Sequence, residues 1–347
     1  MNFDIGVSVR SIIVGAALAV AAGAATTAQA QVVHWKLGSA VGPQDIMTLD
    51  LQKFAAAVKE RSGGKLVLEV VPIETVGFKN DDSLRVLKQG VMQAMLLVPY
   101  YLYRDAPSLA ALTPHGALLE TEDNLKIAKV QREIADKIYR QWGVEPAVPW
   151  WSGSLRDLVV IAKEPVSSLA DLKGKKFRHF TKDGVQAFND LGISTQMVPS
   201  SELYLALKTG VVDAAAYGLP YVKSQALYET TCCVSYLAPF TAAFPFAIGV
   251  RQQDWKALDP ALQKVMIDVG AETYATALQD WRANKQDTEA AQWLKDKGMK
   301  FLPPFSLDDR KKIQAALFKV WEAQSEKIGP EALANYRKIR AALEARP

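Results

Sequence analysis

Short apolar or alternating runs and longer stretches of helical period follow one another along most of the chain. Val32 to Ser39, Leu66 to Val71 and Ala94 to Val98 read as strands, the last ending at Pro99. Between them, Ile46 to Arg61 and Asp81 to Gln89 carry apolar residues at helical spacing. Gly42-Pro43 breaks the chain before the first of these helices, and Ser62-Gly63-Gly64 stops it. After the amphipathic stretch Thr121 to Trp142, Val144 to Trp151 and Leu158 to Ala162 read as strands, and Val166 to Leu172 as a turn into a short helix. A second series follows: Lys176 to His179, the helix Lys182 to Leu191, Thr195 to Val198, the helix Ser201 to Thr209 and the strand Val211 to Tyr217. Ser201 and Glu202 suit a helix start, through capping and the helix dipole. The alternation of strands and helices predicts two α/β lobes with parallel pairing.

Beyond Trp255 the pattern changes to long amphipathic helices, about Pro260 to Lys297, Leu307 to Ile328 and Pro330 to Ala345. Leu262, Val265, Met266, Val269 and Ala277 fall on one helical face and are expected to brace the lobes as core.

The first thirty residues have the pattern of an export signal. Arg10 precedes an apolar stretch from Ile12 to Ala25, and Ala28-Gln29-Ala30 supplies a small-residue cleavage site. The stretch is shorter than the roughly 20 residues of a membrane-spanning helix and is rich in Ala and Gly. No cysteine follows Ala30 to carry a lipid. The expected product is a soluble protein, which in a Gram-negative cell resides in the periplasm.

A length of 347 residues exceeds what one core usually organises and favours two domains. The net charge of +4 is too small and dispersed for a nucleic-acid partner. Cys232 and Cys233 are neighbours, whose bridge needs a strained eight-membered ring, so they are expected to pack as two small hydrophobes. His34, His115 and His179 share no metal-ligand spacing, and zinc is not expected. The chain has no GxGxxG, GxxxxGK[ST], HExxH or GxSxG motif, and nothing gives Trp151-Ser152-Gly153-Ser154 a base or an oxyanion hole. An enzyme is therefore not expected.

What remains is a set of cationic and aromatic residues just past strand ends, where α/β sheets form ligand crevices. Arg178 ends the strand Lys176-Phe177-Arg178, and its guanidinium can hold a carboxylate with two parallel hydrogen bonds. Arg156 follows the loop Trp150-Trp151-Ser152-Gly153. Tyr100 and Tyr101 end the third strand, and Tyr217 ends Val211 to Ala216.

Asp171-Leu172-Lys173-Gly174-Lys175-Lys176-Phe177-Arg178, then Leu191-Gly192, Pro199-Ser200-Ser201-Glu202-Leu203-Tyr204-Leu205-Ala206-Leu207 and Thr209-Gly210-Val211-Val212-Asp213-Ala214, form a distinctive series. It resembles the core signature of solute-binding receptors of tripartite ATP-independent periplasmic (TRAP) transporters. Arg61-Ser62-Gly63-Gly64-Lys65 and Leu87-Lys88-Gln89-Gly90 extend the resemblance over essentially the whole mature chain. The resemblance implies a two-lobed periplasmic binding protein of type II-like α/β fold. Lobe I would comprise 31–153 plus about 245–285, and lobe II 154–244 plus about 286–347 with the C-terminal helices. It implies that Arg178 grips a substrate carboxylate, that Arg156 assists, and that the partners are a small organic acid anion and the small and large membrane subunits of a permease.

Tyr100-Tyr101 and the segment Asp213 to Pro220 look closest to the subgroup for keto, hydroxy and aromatic acids. Two departures matter. Ala216-Tyr217 stands where many relatives carry an asparagine or a Glu-Trp pair, so no metal and no cofactor are expected. Tyr217, with Trp150, Trp151 and Phe180, implies a flatter, more apolar pocket and an aromatic or otherwise apolar monocarboxylate. The alternatives are a C4-dicarboxylate receptor, a sensing subunit for a membrane kinase, and a periplasmic enzyme.

Overall fold

The computed structural model describes residues 32–112, 114–150, 156–240 and 245–345. The export signal lies outside the described residues, as does Trp151. In chain order, the first part holds β1 (Val33–Ser39), α1 (Ile46–Arg61), β2 (Leu66–Pro72), α2 (Ser83–Gln89), β3 (Ala94–Leu97), α3 (Asp123–Gln141) and β4 (Val144–Trp150). The second part holds β5 (Asp157–Ala162), α4 (Leu169–Leu172), β6 (Phe177–His179), α5 (Lys182–Asp190), β7 (Thr195–Met197), α6 (Leu203–Thr209), β8 (Ala214–Gly218), α7 (Leu219–Ser224) and β9 (Cys233–Pro239). There follow β10 (Phe246–Arg251), α8 (Gln252–Ala257), α9 (Pro260–Arg282), α10 (Lys285–Asp296), β11 (Lys300–Phe301), α11 (Leu307–Ile328) and α12 (Pro330–Glu344).

The strands form two sheets, in the orders β2-β1-β3-β10-β4 and β11-β9-β5-β8-β6-β7. The α/β two-lobed class expected from the sequence is thus present, but the pairing is mixed. β1 pairs in parallel with β2 and β3, and β6 with β7 and β8, whereas β10 is antiparallel to β3 and β4, and β5 to β8 and β9. The antiparallel members are the strands at the crossings between sheets, where chain direction reverses.

Each face of the second sheet has its own core. Leu158 and Val160 of β5 and Ala214 and Ala216 of β8 enter one cluster, while Val159, Ile161, Ala215 and Tyr217 enter the other. This is the period of two that a strand imposes on its side chains, and helices cover both faces. A separate, larger cluster fills the first sheet's lobe and takes in Trp321 of α11 with Tyr336 and Ile339 of α12, because α12 packs on both α3 and α11.

Local signals explain several boundaries. Asp45 caps α1, its Oδ1 accepting from the Met47 amide at 2.9 Å. The single helix expected over Pro260 to Lys297 is two, broken where Asn284 takes φ 51°, a left-handed conformation that Asn tolerates. α9 lies on α1 and β4, and α10 on α7, so this break is where the chain passes from one lobe to the other. Ser200–Glu202 forms a 3₁₀ turn, and α6 starts only at Leu203, without a side-chain cap from Ser201.

Cys232 and Cys233 are disulfide-bonded, which corrects the expectation of two packed thiols. Adjacency keeps the sulfurs within reach of each other, and an oxidising compartment favours the bond over the free pair. The backbone there is held by Cys232 N–H donating to Ala162 O at 2.9 Å and Lys300 N–H donating to Cys232 O at 2.9 Å.

Candidate ligand-binding site

Arg178 is the second residue of β6, between Phe177 and His179, whose side chains point to the opposite face of the sheet. The alternation puts Arg178 on the face of its pairing partner Ala215 and of Tyr217. It is fully buried. Nε donates to Val198 O at 3.0 Å, Nη1 to Ala216 O at 3.1 Å and Nη2 to Ser200 Oγ at 3.3 Å. These acceptors are neutral, and they use three of the five N–H donors of a guanidinium. The guanidinium carbon lies 5.1 Å from the Tyr217 ring centroid and 5.5 Å from that of Phe180. No carboxylate among the described residues pairs with it. Burial pulls its pKa down to about 10, which leaves it cationic at neutral pH. Taking such a charge out of water without a counter-ion costs several kcal/mol, so the arrangement favours an incoming anion.

The first sheet supplies the facing wall. Tyr100 and Tyr101 occupy the 3₁₀ turn Pro99–Tyr101 that follows β3, with ring centroids 4.5 Å apart. The His115 ring joins the two walls, 5.7 Å from Tyr100 and 4.8 Å from Phe180, over which the Arg178 guanidinium lies. Burial is the dominant influence on the Tyr101 hydroxyl and drives its pKa upward. Tyr217 continues the wall on the second sheet, 5.2 Å from Tyr221 of α7, and its hydroxyl accepts from Gln225 Nε2 at 2.7 Å.

A further aromatic layer surrounds Phe180, and the sequence singles out none of its other members as site residues. His115 sits 4.8 Å from Phe180, 4.7 Å from Phe240 and 5.7 Å from Tyr100, which also meets Phe246 at 6.1 Å. Phe180 stacks on His179 at 4.8 Å. Burial lowers the pKa of both histidines, that of His179 to about 3, so neither adds a cation at neutral pH. Only the common occurrence of aromatic residues past strand ends hinted at this layer; His115 and Phe240 come from loops with no motif.

The structure brings together Arg178, Tyr217, Tyr100, Tyr101 and Phe180. Arg156 adjoins this group through its backbone, its carbonyl accepting from the Phe240 amide at 2.7 Å, but its guanidinium is engaged by other residues. The Arg156 guanidinium lies over the Trp281 ring at 5.8 Å and donates through Nη1 to Arg282 O at 3.1 Å, at the corner between α9 and α10. Trp150 is buried against Phe54 at 5.4 Å in the first lobe's core. Among the described residues no group of three or more His, Cys, Asp or Glu side chains could hold a metal ion, and no helix is long and apolar enough to cross a membrane.

Residues 37–327 match the family described as bacterial extracellular solute-binding protein, family 7, or DctP. The chain belongs to this family. Its members are the solute receptors of TRAP transporters and not enzymes, as the sequence resemblance implied. A C4-dicarboxylate-binding periplasmic protein of Rhodobacter capsulatus is 25% identical over 334 residues, covering 90% of this chain and 93% of that one. The matched stretch covers 62% of a solute-binding protein of Roseobacter denitrificans, 29% identical over 211 residues and 59% of this chain. It covers only 39% of protein y4mM of Sinorhizobium fredii, 29% identical over 219 residues and 61% of this chain, so the chain spans less than two thirds of both these relatives. The crystal structure of DctP7, a Bordetella pertussis receptor binding pyroglutamic acid, has the same fold. Its TM-score is 0.73 at 20% identity, over 90% of this chain and 100% of that one.

Proposed function

We propose that this receptor is exported to the periplasm after cleavage near Ala30, closes on one organic acid anion and delivers it to the membrane subunits of a TRAP permease. The observation that carries this reading is Arg178: a buried cation, lacking a carboxylate partner among the described residues, faces tyrosines from the opposite sheet. A bidentate guanidinium–carboxylate pair would use its remaining donors. Closure would follow from contacts the ligand makes with both walls at once.

The ligand we favour is an aromatic, keto or hydroxy monocarboxylate. Arg178 supplies one cation, and Tyr100, Tyr101, Tyr217 and Phe180 supply apolar ring surface, whose burial contributes roughly 25 cal/mol per Å². The dicarboxylate reading is favoured by the Rhodobacter capsulatus relative, which is named for C4-dicarboxylates. Against it stands the engagement of the Arg156 guanidinium by Arg282 O and the Trp281 ring, which leaves Arg178 as the cation among the site's rings. A calorimetric screen of succinate, malate, 2-keto acids and benzoate-type acids tests the reading. Preferential binding of a monocarboxylate supports it, and a clear dicarboxylate preference overturns the ligand class. Uptake by vesicles holding the permease, dependent on added receptor, tests delivery.

A further inference from the structure

Tyr217 lies near the end of β8 with its ring centroid 5.1 Å from the Arg178 guanidinium carbon, and the side chains bonded to this pair give its hydrogen bonds a direction. Arg178 can only donate, and at Nη2 it donates to Ser200 Oγ at 3.3 Å. Gln225 follows the C-terminal end of α7, where its backbone amide donates to Tyr221 O at 2.9 Å. Its side-chain Nε2 donates to the Tyr217 hydroxyl at 2.7 Å. The Tyr221 ring packs 5.2 Å from that of Tyr217, so α7 and the residue after it hold both the ring and the oxygen of Tyr217. Burial has the largest effect on the Tyr217 hydroxyl and raises its pKa; the Ser200 and Gln225 hydrogen bonds both lower it, as bonds donated to the oxygen do. A phenol has one proton, and with donors at its oxygen that proton is left for a further partner.

Resting on the receptor reading above, we propose that Gln225 is a positioning residue for ligand choice: by donating to Tyr217 it turns the phenol proton toward the acid held by Arg178, and so selects acids that carry an oxo or hydroxy oxygen next to the carboxylate. The carboxylate takes the donors of Arg178 that the protein leaves over, and the adjacent oxygen accepts from Tyr217. Tyr217 is buried, so an acid of the same shape without that oxygen leaves a desolvated donor unpaired, which penalises it. Within the ligand class favoured above, this ranks keto and hydroxy acids over plain aromatic or branched acids. Gln225 touches no ligand in this scheme and acts through the direction of one hydrogen bond.

The test uses pairs of acids that differ only at that carbon: 4-phenyl-2-oxobutanoate against 4-phenylbutanoate, and 4-methyl-2-oxopentanoate against 4-methylpentanoate. Calorimetry on the wild-type protein should show a preference of about tenfold or more for the oxo member of a pair. Gln225→Glu puts an acceptor where the donor was. Its carboxylate takes the Tyr217 proton, and most of the preference should vanish. The added charge weakens both members of a pair alike, so the ratio within the pair reads the direction of the proton. Tyr217→Phe should abolish the preference as well. Gln225→Met removes the donor without supplying an acceptor and should keep more of the preference than Gln225→Glu, an order that a merely structural role for the amide would not produce. Arg178-dependent binding of both members with equal affinity, or a preference that survives Gln225→Glu, overturns the role of Gln225 and leaves the receptor reading intact. Binding of no member by wild type, with Arg178→Ala indistinguishable from it, overturns both.

Discussion

The Arg156 amide donates to Asp287 Oδ2 at 2.8 Å, tying the start of the crossing strand β5 to the first turn of α10. Arg156 adds a second tie through its side chain to Arg282 O, so two of the chain passages between the lobes, β4 to β5 and α9 to α10, are joined at one corner. Arg156→Ala should therefore lower thermal stability by about 1 kcal/mol, one hydrogen bond and a partial ring contact, while weakening carboxylate binding far less than loss of Arg178 does. Calorimetry and melting curves on the two variants compare them directly; equal losses of affinity would return Arg156 to the ligand.

Arg178→Ala should reduce affinity for the cognate acid by about 2 to 5 kcal/mol, the cost of leaving a buried carboxylate without its partner. Arg178→Lys should fail too, because an ammonium cannot reproduce the fork that reaches Val198 O, Ala216 O and a ligand together. Circular dichroism and melting confirm that both variants are folded. Near wild-type affinity in Arg178→Ala would remove this residue from the site.

Gly184→Ala places a methyl where space is already taken. A Cβ on Gly184 would lie 2.0 Å from His179 Nδ1, the atom that accepts from the Thr181 amide at 3.2 Å. His179 adjoins Arg178 in β6, so displacing its ring disturbs the strand that holds the arginine. The expected cost is about 1 to 3 kcal/mol of stability with a measurable loss of affinity, read by denaturant midpoint and titration.

Burial, aided by the nearby Asp157 charge, raises the pKa of Asp287 from 3.8 to about 7. The folded chain then binds more protons than the unfolded chain between those values, so this group's contribution to stability falls as pH rises through the window and stays unfavourable above it. Asp287→Asn should flatten the pH dependence and gain on wild type by on the order of 1 to 4 kcal/mol between pH 4 and pH 8. Urea unfolding at several pH values checks this; parallel curves for the two proteins would contradict it.

A chelator should leave affinity for the acid unchanged. Ala216 lacks the carboxylate expected of a cation site, and its carbonyl is already engaged by Arg178. Affinity lost with chelator and restored by calcium would show that a metal takes part.

How much could be read beforehand follows from the range of each signal. Leu307 to Ile328 was legible to the residue, since a serine cap and a sustained helical period mark it locally. β6, and Arg178 on it, were placed by the segment that ends in Lys176-Phe177-Arg178. The left-handed Asn284 was not legible, because the helical pattern continues through it and only packing on two lobes demands a break. His115 and Phe240 join the site through tertiary contacts that leave no spacing in the sequence. Arg156 had the right chemistry near the right loop, but its orientation is set by Trp281 and Arg282, more than a hundred residues away in the chain.

The pairing of Phe246 with Trp150 bears on when the molecule can fold. Among the described residues β4 is bonded in its sheet to β10 alone, and β10 is separated from it by nearly all of the second sheet's strands. A chain emerging from its N-terminus can assemble β1, β2 and β3 early, yet the first sheet stays unfinished until Arg251 has appeared. Such long-range closure slows folding. Under the export proposed above, this order of assembly delays the finished structure until most of the chain has been made.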